Sequence, residues 1–390
     1  MSGECGAALL MLLVALSPAF ANTIVVDQAD GGDYLTISEG VAAAAAGDTV
    51  LVAPGTYAGA LNRGIVTHDL VLASTGGPDV TEIDCEHADY ALFMWGGGLS
   101  GLTVRNGLWS ESLAAVLIRD GHVDGCVFTD NERYGLSTYG TCTVNGCVFL
   151  DHGHGCMLAQ PGSTAIEGCL FENHTGWGLR CENYPYGLRT GHAISGCIFR
   201  DMGGTALVDY EGIVQSVGGC TFADNAGCSV GLLDSHASFS YCTFASNPSG
   251  ESVFSFSHDG AHGGQNHCTI SHCVIAFNGC GSVVSGTPDL SVFDWNCSYG
   301  NAGGDSLTVA GASRGNYFVD PLFCGVAAGD YTFCANSPCL STNDPVGVAM
   351  GACSDAPGCD PCGSPVLPTT WGAIKATYGS LTLRRGSSQP

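Results

Sequence analysis

Val123-Asp124-Gly125-Cys126-Val127-Phe128 is written again, with small changes, as Val144-Asn145-Gly146-Cys147-Val148-Phe149 and Ile166-Glu167-Gly168-Cys169-Leu170-Phe171. Ile194-Ser195-Gly196-Cys197-Ile198-Phe199 and Val217-Gly218-Gly219-Cys220-Thr221-Phe222 follow. Two looser copies are Phe239-Ser240-Tyr241-Cys242-Thr243-Phe244 and Ile270-Ser271-His272-Cys273-Val274-Ile275. The seven cysteines lie 21, 22, 28, 23, 22 and 31 residues apart. Short β-branched runs at such a period, punctuated by Gly and Asn turns, are the mark of a solenoid.

Each copy reads as one coil of a parallel β-helix. Val123, Val144, Ile166, Ile194 and Val217 end a strand facing inward. A two-residue bend follows, its second position usually Gly, which takes positive φ without a Cβ clash. Cys and the aromatic two places later then face the same side. Asp/Asn turns come next, at Asp130-Asn131, Asp151, Asn173, Asp201, Asp224-Asn225, Asn247 and Asn278. A further strand completes the coil, as in 135–139, 178–182 and 206–209. One coil cannot bury its own apolar face, but stacked coils do, and they bring like residues into ladders of thiols and phenyl rings. In-register strands set Cβ atoms about 4.8 Å apart, too far for the ~3.8 Å of a good disulfide. The seven cysteines are therefore expected to be buried thiols. Val127, Val148, Leu170, Ile198 and Val274 should face outward as an apolar stripe, by alternation.

The ends read differently. Residues 1–21 have the form of a signal peptide: the apolar run Ala7–Leu16, then Ser17-Pro18, then Ala19-Phe20-Ala21 as a cleavage site. That run is too short to span a membrane. The chain is expected to be secreted or held at the cell surface. Its net charge is −25; residues 1–21 hold one acidic and no basic residue, so their removal leaves 35 acidic and 11 basic, or −24. Such a surface repels nucleic acid and anionic membranes, and repels polyuronates unless a cation bridges them. Thr36-Ile37-Ser38-Glu39 is a capping box opening a short helix through Ala46 that covers the first coil's edge. Cys324, Cys334, Cys339, Cys353, Cys359 and Cys362 cluster near the C-terminus. Cys359-Asp360-Pro361-Cys362 has the spacing of half a zinc site without a second half, so disulfide stapling of a loop-rich end is expected. Domain limits follow: signal peptide 1–21, β-helix with caps 22–353, and a Cys/Pro-containing linker and tail 354–390, where Trp371, Ile374 and Tyr378 fall at helical spacing.

Gly32-Asp33-Tyr34-Leu35-Thr36-Ile37, the Ala-rich helix and Gly47-Asp48-Thr49-Val50-Leu51-Val52-Ala53-Pro54-Gly55-Thr56-Tyr57 resemble the opening of the pectin-lyase-like superfamily. Asn316–Phe323, Gly329–Phe333 and Asn336–Leu340 resemble the closing segment of its exported bacterial members. The resemblance covers roughly residues 23–353 and implies an all-β, right-handed parallel β-helix solenoid with a short N-terminal capping helix. It implies no one activity, since the superfamily holds lyases, hydrolases, epimerases, esterases and non-catalytic surface proteins. Of the polygalacturonase motifs only Gly153-His154-Gly155 is present, and Lys375, outside the coils, is the one lysine.

Coil length offers a geometric lead. The two long coils carry insertions around 183–190 and 257–267, expected to rise from one corner as two walls. The groove between them is expected to hold Glu182, Asp209 and Asp234 as candidate catalytic carboxylates, with Glu182 and Asp209 pointing outward from adjacent coils. Tyr184, Tyr186, Arg189, Tyr210 and His236 are the candidate substrate contacts. A carboxyl pair can act as general acid and base in glycoside cleavage, and aromatic faces stack on sugars. Carboxylates at this spacing can also hold Ca²⁺. His258, Asp259, His262 and His267 in the second wall have the donor types of a transition-metal site. The expected partner is an extracellular glycan that the protein binds or processes. The alternative is a non-catalytic surface or adhesive rod.

Overall fold

The structure, a computed structural model, describes residues 21–108, 114–182, 191–210, 212, 214–248, 252–258, 265–307, 313–344, 347, 349–352, 358–360 and 364–365. Its strands form a parallel solenoid. One sheet has 21 strands and a second has 11. The larger sheet makes two faces of each coil, continuous through the long strands Tyr134–Asn145 and Gly155–Glu167. The smaller sheet, which includes Val127–Thr129 and Val148–Leu150, makes the third face. The helix Ile37–Ala43 lies over the first coil, and Thr36 and Glu39 close the expected capping box. It ends three residues short of the expected Ala46, with the Ala44 N–H bonded to the Val41 carbonyl.

The repeated phrase builds the core as expected. Phe128, Phe149, Phe171, Phe199, Phe222 and Phe244 stack ring on ring, with centroids 4.6–5.0 Å apart. Ile275 continues the column. The seven ladder cysteines are buried and unbridged. Cys147, Cys169, Cys197, Cys220 and Cys242 donate toward the preceding coil's backbone, as Cys147 Sγ does to the Val123 carbonyl at 3.6 Å. Burial holds the thiols of Cys147, Cys169, Cys220 and Cys273 well above the usual range.

The Asp/Asn turn after the phenyl ladder carries a second, polar ladder. Asn247 Oδ1 accepts the Asn225 N–H at 2.9 Å, and Asn247 Nδ2 donates to the Phe222 carbonyl at 3.2 Å. Asn131, Asn225, Asn278 and Asn301 repeat the pattern. His152 and His174 take the same place two coils running, Nδ1 of each accepting a backbone N–H. These side chains satisfy backbone groups that the turn would otherwise bury unpaired.

The outward stripe is not a bare surface. Val274 is buried beneath Phe323, Tyr331, Phe333, Leu340 and Met350 of a segment that leaves the last coil and folds back over the smaller sheet. Tyr331 Oη donates to Asp224 at 2.9 Å, and the Ala352 N–H donates to Thr243 Oγ1 at 3.0 Å. Val127, Val148, Leu170 and Ile198 form their own buried cluster with Leu150. Near the C-terminus Cys324 and Cys359 are joined by a disulfide, the expected stapling. Cys353, Cys362 and the tail 366–390 lie outside the described residues.

Candidate functional site

The corner where the first face turns into the second carries polar groups on successive coils. The strands Trp177–Cys181, Leu207–Tyr210, Val230–Leu233 and Phe254–Ser257 are consecutive neighbours, so their ends align coil by coil. Alternation sends Leu207 and Asp209 inward and Tyr210 to the surface.

Asp209 therefore corrects the sequence expectation. It pairs in register with Cys181, not with Glu182, and is fully buried. Its carboxylate accepts the Val214 N–H at 3.2 Å and the Ser235 hydroxyl at 2.8 Å. Cys181 and Asp209 each lie 12 residues after a ladder cysteine, Cys169 and Cys197, so the spacing already put Asp209 in the Cys181 column; setting it outward beside Glu182 was a slip of one residue, and in a strand one residue is a change of face. Glu182, on the surface side, is paired to Arg180. The Arg180 guanidinium sits 4.3 Å from the Trp177 ring centre and 4.9 Å from that of Tyr210. His154 packs edge-on between Tyr134 and Trp177, at 5.7 and 5.1 Å. Burial, then Arg133 and Arg180, lowers the His154 pKa.

Asp234 is nearly buried and finds an unexpected partner. Its Oδ1 lies 2.6 Å from His258 Nδ1, and His258 Nε2 lies 3.0 Å from Asp289 Oδ2. A carboxylate stands on each side of the imidazole along the rod. The Asp234 contact is the main cause raising the His258 pKa, with Asp289 adding to it. Asn266, buried below, fixes the corner: its Oδ1 accepts the Ser235 N–H at 3.0 Å and its Nδ2 donates to the Ser257 and Thr287 carbonyls at 3.1 Å each. Asp234 and Asp289 both hold positive φ, 51° and 43°, a conformation Asp tolerates better than most residues. His236 is exposed beside this cluster, its ring 5.9 Å from that of His267.

The structure thus brings Arg180, Glu182, Tyr210, Asp234 and His258 to one edge, with Asp289 and His236 beside them. Tyr184, Tyr186, Arg189, Glu211, Asp259 and His262 lie outside the described residues. Sequence reasoning missed Trp177 and Asp289 altogether and set His258 in a separate wall. Nothing in the repeat marks Asp289, because it becomes a neighbour only through the stacking of coils. A second row of the first face, also missed, runs His68, Trp95, Arg119 and Tyr139 in register, with the guanidinium 5.1 and 4.9 Å from the Trp95 and Tyr139 rings. Chemically, the corner offers an imidazole whose protonated form is favoured by a carboxylate on each side of it, and a guanidinium held between two aromatic faces. Glu182, Asp209 and Asp234 do not converge on a shared point. Among the described residues, the grouping with metal-ligand proximity is Cys324, Cys334 and Cys359, of which two are joined in the disulfide.

Comparison with known proteins decides the family. The right handed beta helix region matches residues 90–244 and again 136–292, together more than half of the chain. The chain belongs to this family. Its fold is that of the right-handed β-helices. It is similar to the crystal structure of pectate lyase Pel9A at a TM-score of 0.56 and 14% identity, covering 85% of this chain and 96% of that one. The PL6 family alginate lyase AlyGC aligns at 0.42 and 10%, covering 78% and 54%. The periplasmic alginate epimerase AlgG aligns at 0.42 and 12%, covering 70% and 77%. No curated protein matches the chain.

Proposed function

We propose that this β-helix is exported and binds or processes an extracellular polysaccharide along the corner from Arg180 to Asp289. The observation that carries the reading is the row itself: aromatic, guanidinium, carboxylate and imidazole groups on consecutive coils. Coils repeat at about 4.8 Å, a step that suits an extended sugar chain lying along the rod. The pectate lyase with the same fold, named for a polysaccharide substrate, supports the same class of ligand. His258 would carry the proton-transfer role, Arg180 and Tyr210 would seat a sugar, and Ca²⁺ would bridge an anionic polymer to this acidic surface. A second reading, a non-catalytic surface rod, is favoured by the fact that Arg180 and His258 both already have ion-pair partners.

A panel of acidic and neutral polysaccharides, run with and without Ca²⁺, separates the two. Retention of one polymer in affinity electrophoresis is expected, weakened at least tenfold by Arg180→Ala and by His258→Ala. Release of unsaturated or reducing ends would add catalysis. If no polymer is retained or cut in either condition, the glycan reading fails. Fractionation that finds the protein fixed to the cell exterior would then favour the rod.

A further inference from the structure

Cys297 breaks the pattern of its own column. The outward residues after the ladder position run Val127, Val148, Leu170, Ile198, Thr221, Thr243 and Val274, and the next coil places Cys297 there. The ladder position of that coil is Asn296, whose Oδ1 accepts the Cys273 N–H at 2.9 Å. Cys297 therefore faces the segment folded back over the smaller sheet. It is fully buried there with Cys339, Leu340 and Phe323 in one cluster.

Cys339 comes from that returning segment. Its backbone is pinned by the Ser337 hydroxyl, which accepts its N–H at 3.1 Å, and by the Met350 N–H, which donates to its carbonyl at 2.9 Å. Both thiols are unbridged in the structure, and Cys297 Sγ lies 3.2 Å from the Val319 carbonyl. The neighbouring Cys297 thiol first, and burial second, push the Cys339 thiol far above the usual thiol range.

Contact alone does not separate this pair from the thiol ladder, whose members also touch. Geometry does. A ladder cysteine is held at the spacing of parallel strands, about 4.8 Å, by backbone bonds on both sides. Cys339 lies on no strand of the solenoid, so strand spacing does not fix its approach to Cys297, and Cβ atoms can close to the ~3.8 Å a disulfide needs.

We infer that Cys297 and Cys339 are a crosslinking site, joined as a second disulfide that bolts the returning segment to the outside of the last coils. The reaction needs an oxidising compartment and so rests on the export reading. It draws on a small-molecule disulfide: one thiolate attacks it and releases one thiol, and the second thiolate attacks the mixed disulfide and releases another. Both protons leave with the released thiols. Because the thiolate is disfavoured once buried, the bond forms while the segment docks and afterwards resists reduction.

The test is independent of where the chain travels in the cell. Reduced, denatured full-length protein is refolded with an oxidised/reduced glutathione couple until the Cys324–Cys359 bond has formed, then acid-quenched, digested with pepsin and mapped by mass spectrometry. A peptide pair joining positions 297 and 339 is expected, lighter by two hydrogens and lost on reduction. Cys297→Val should leave Cys339 open to alkylation after unfolding, and Cys339→Ser should do the same for Cys297. Recovery of both as alkylated thiols, or of either joined to another cysteine, overturns the inference.

Discussion

At the residue scale the fold depends on one backbone conformation repeated at one bend. Gly125, Gly146, Gly168, Gly196 and Gly219 hold φ between 57° and 61°. Tyr241 and His272 in the two looser copies, and Trp295 in the coil that follows, occupy the same bend at 55–58°. Their tolerance has a visible compensation: the Tyr241 ring stacks on His272, with centroids 5.1 Å apart. At Gly146 there is open space for a side chain, so conformation is the whole cost of a substitution. Gly146→Ala should therefore destabilise by about 1–2 kcal/mol, without loss of fold, in a denaturant titration. A larger loss would mean that contact, not φ, constrains the bend. The same scale explains the error at Asp209. Asp209 lies two residues after Leu207 on the same face of one strand and shares the Cys181 column, 12 residues after a ladder cysteine, so its inward turn was written locally and the outward assignment was one residue off.

At the scale of the element, the polar ladder makes the rod sensitive to acid. His174 is buried with its pKa lowered to about 4, burial being the main cause, and His192 is lowered to about 4 by burial. His152 is lowered too, by burial and then by His174. The unfolded chain binds a proton near pH 6.5 where these folded sites do not. Stability is therefore lost as pH falls from 6.5 toward 4, by roughly 3 kcal/mol for a site displaced this far. Asn serves the same place in neighbouring coils and cannot titrate. His174→Asn should thus narrow the drop in melting temperature between pH 7 and pH 4.5. An unchanged drop would put the acid sensitivity elsewhere. His258 has the opposite sign. Its raised pKa means that its ion pairs support the corner below about pH 6.5 and weaken as pH rises through the folded value, so polymer retention should decline as pH rises.

For the whole molecule, the returning segment turns an exposed sheet face into an interior. Phe333 is fully buried and stacks on Phe323 at 5.4 Å, in the cluster that covers Val274. Phe333→Ala should cost about 3–5 kcal/mol and should raise binding of a hydrophobic dye while the parallel-sheet circular dichroism persists. If dye binding does not rise, the segment is not what shields the stripe.

The repeated phrase by itself determined the solenoid, the inward thiols and phenyl rings and the glycine bends, and Thr36 to Glu39 determined the N-terminal capping box. These follow from local chemistry and from a period of two within each strand, both written along the chain. Tertiary structure alone decided that His258 meets Asp234 and Asp289, and that the segment carrying Phe323, Phe333 and Met350 folds back over Val274. Those contacts join residues one or more coils apart. Their partners are set by how unequal coils stack, a distance in space that no spacing in sequence records.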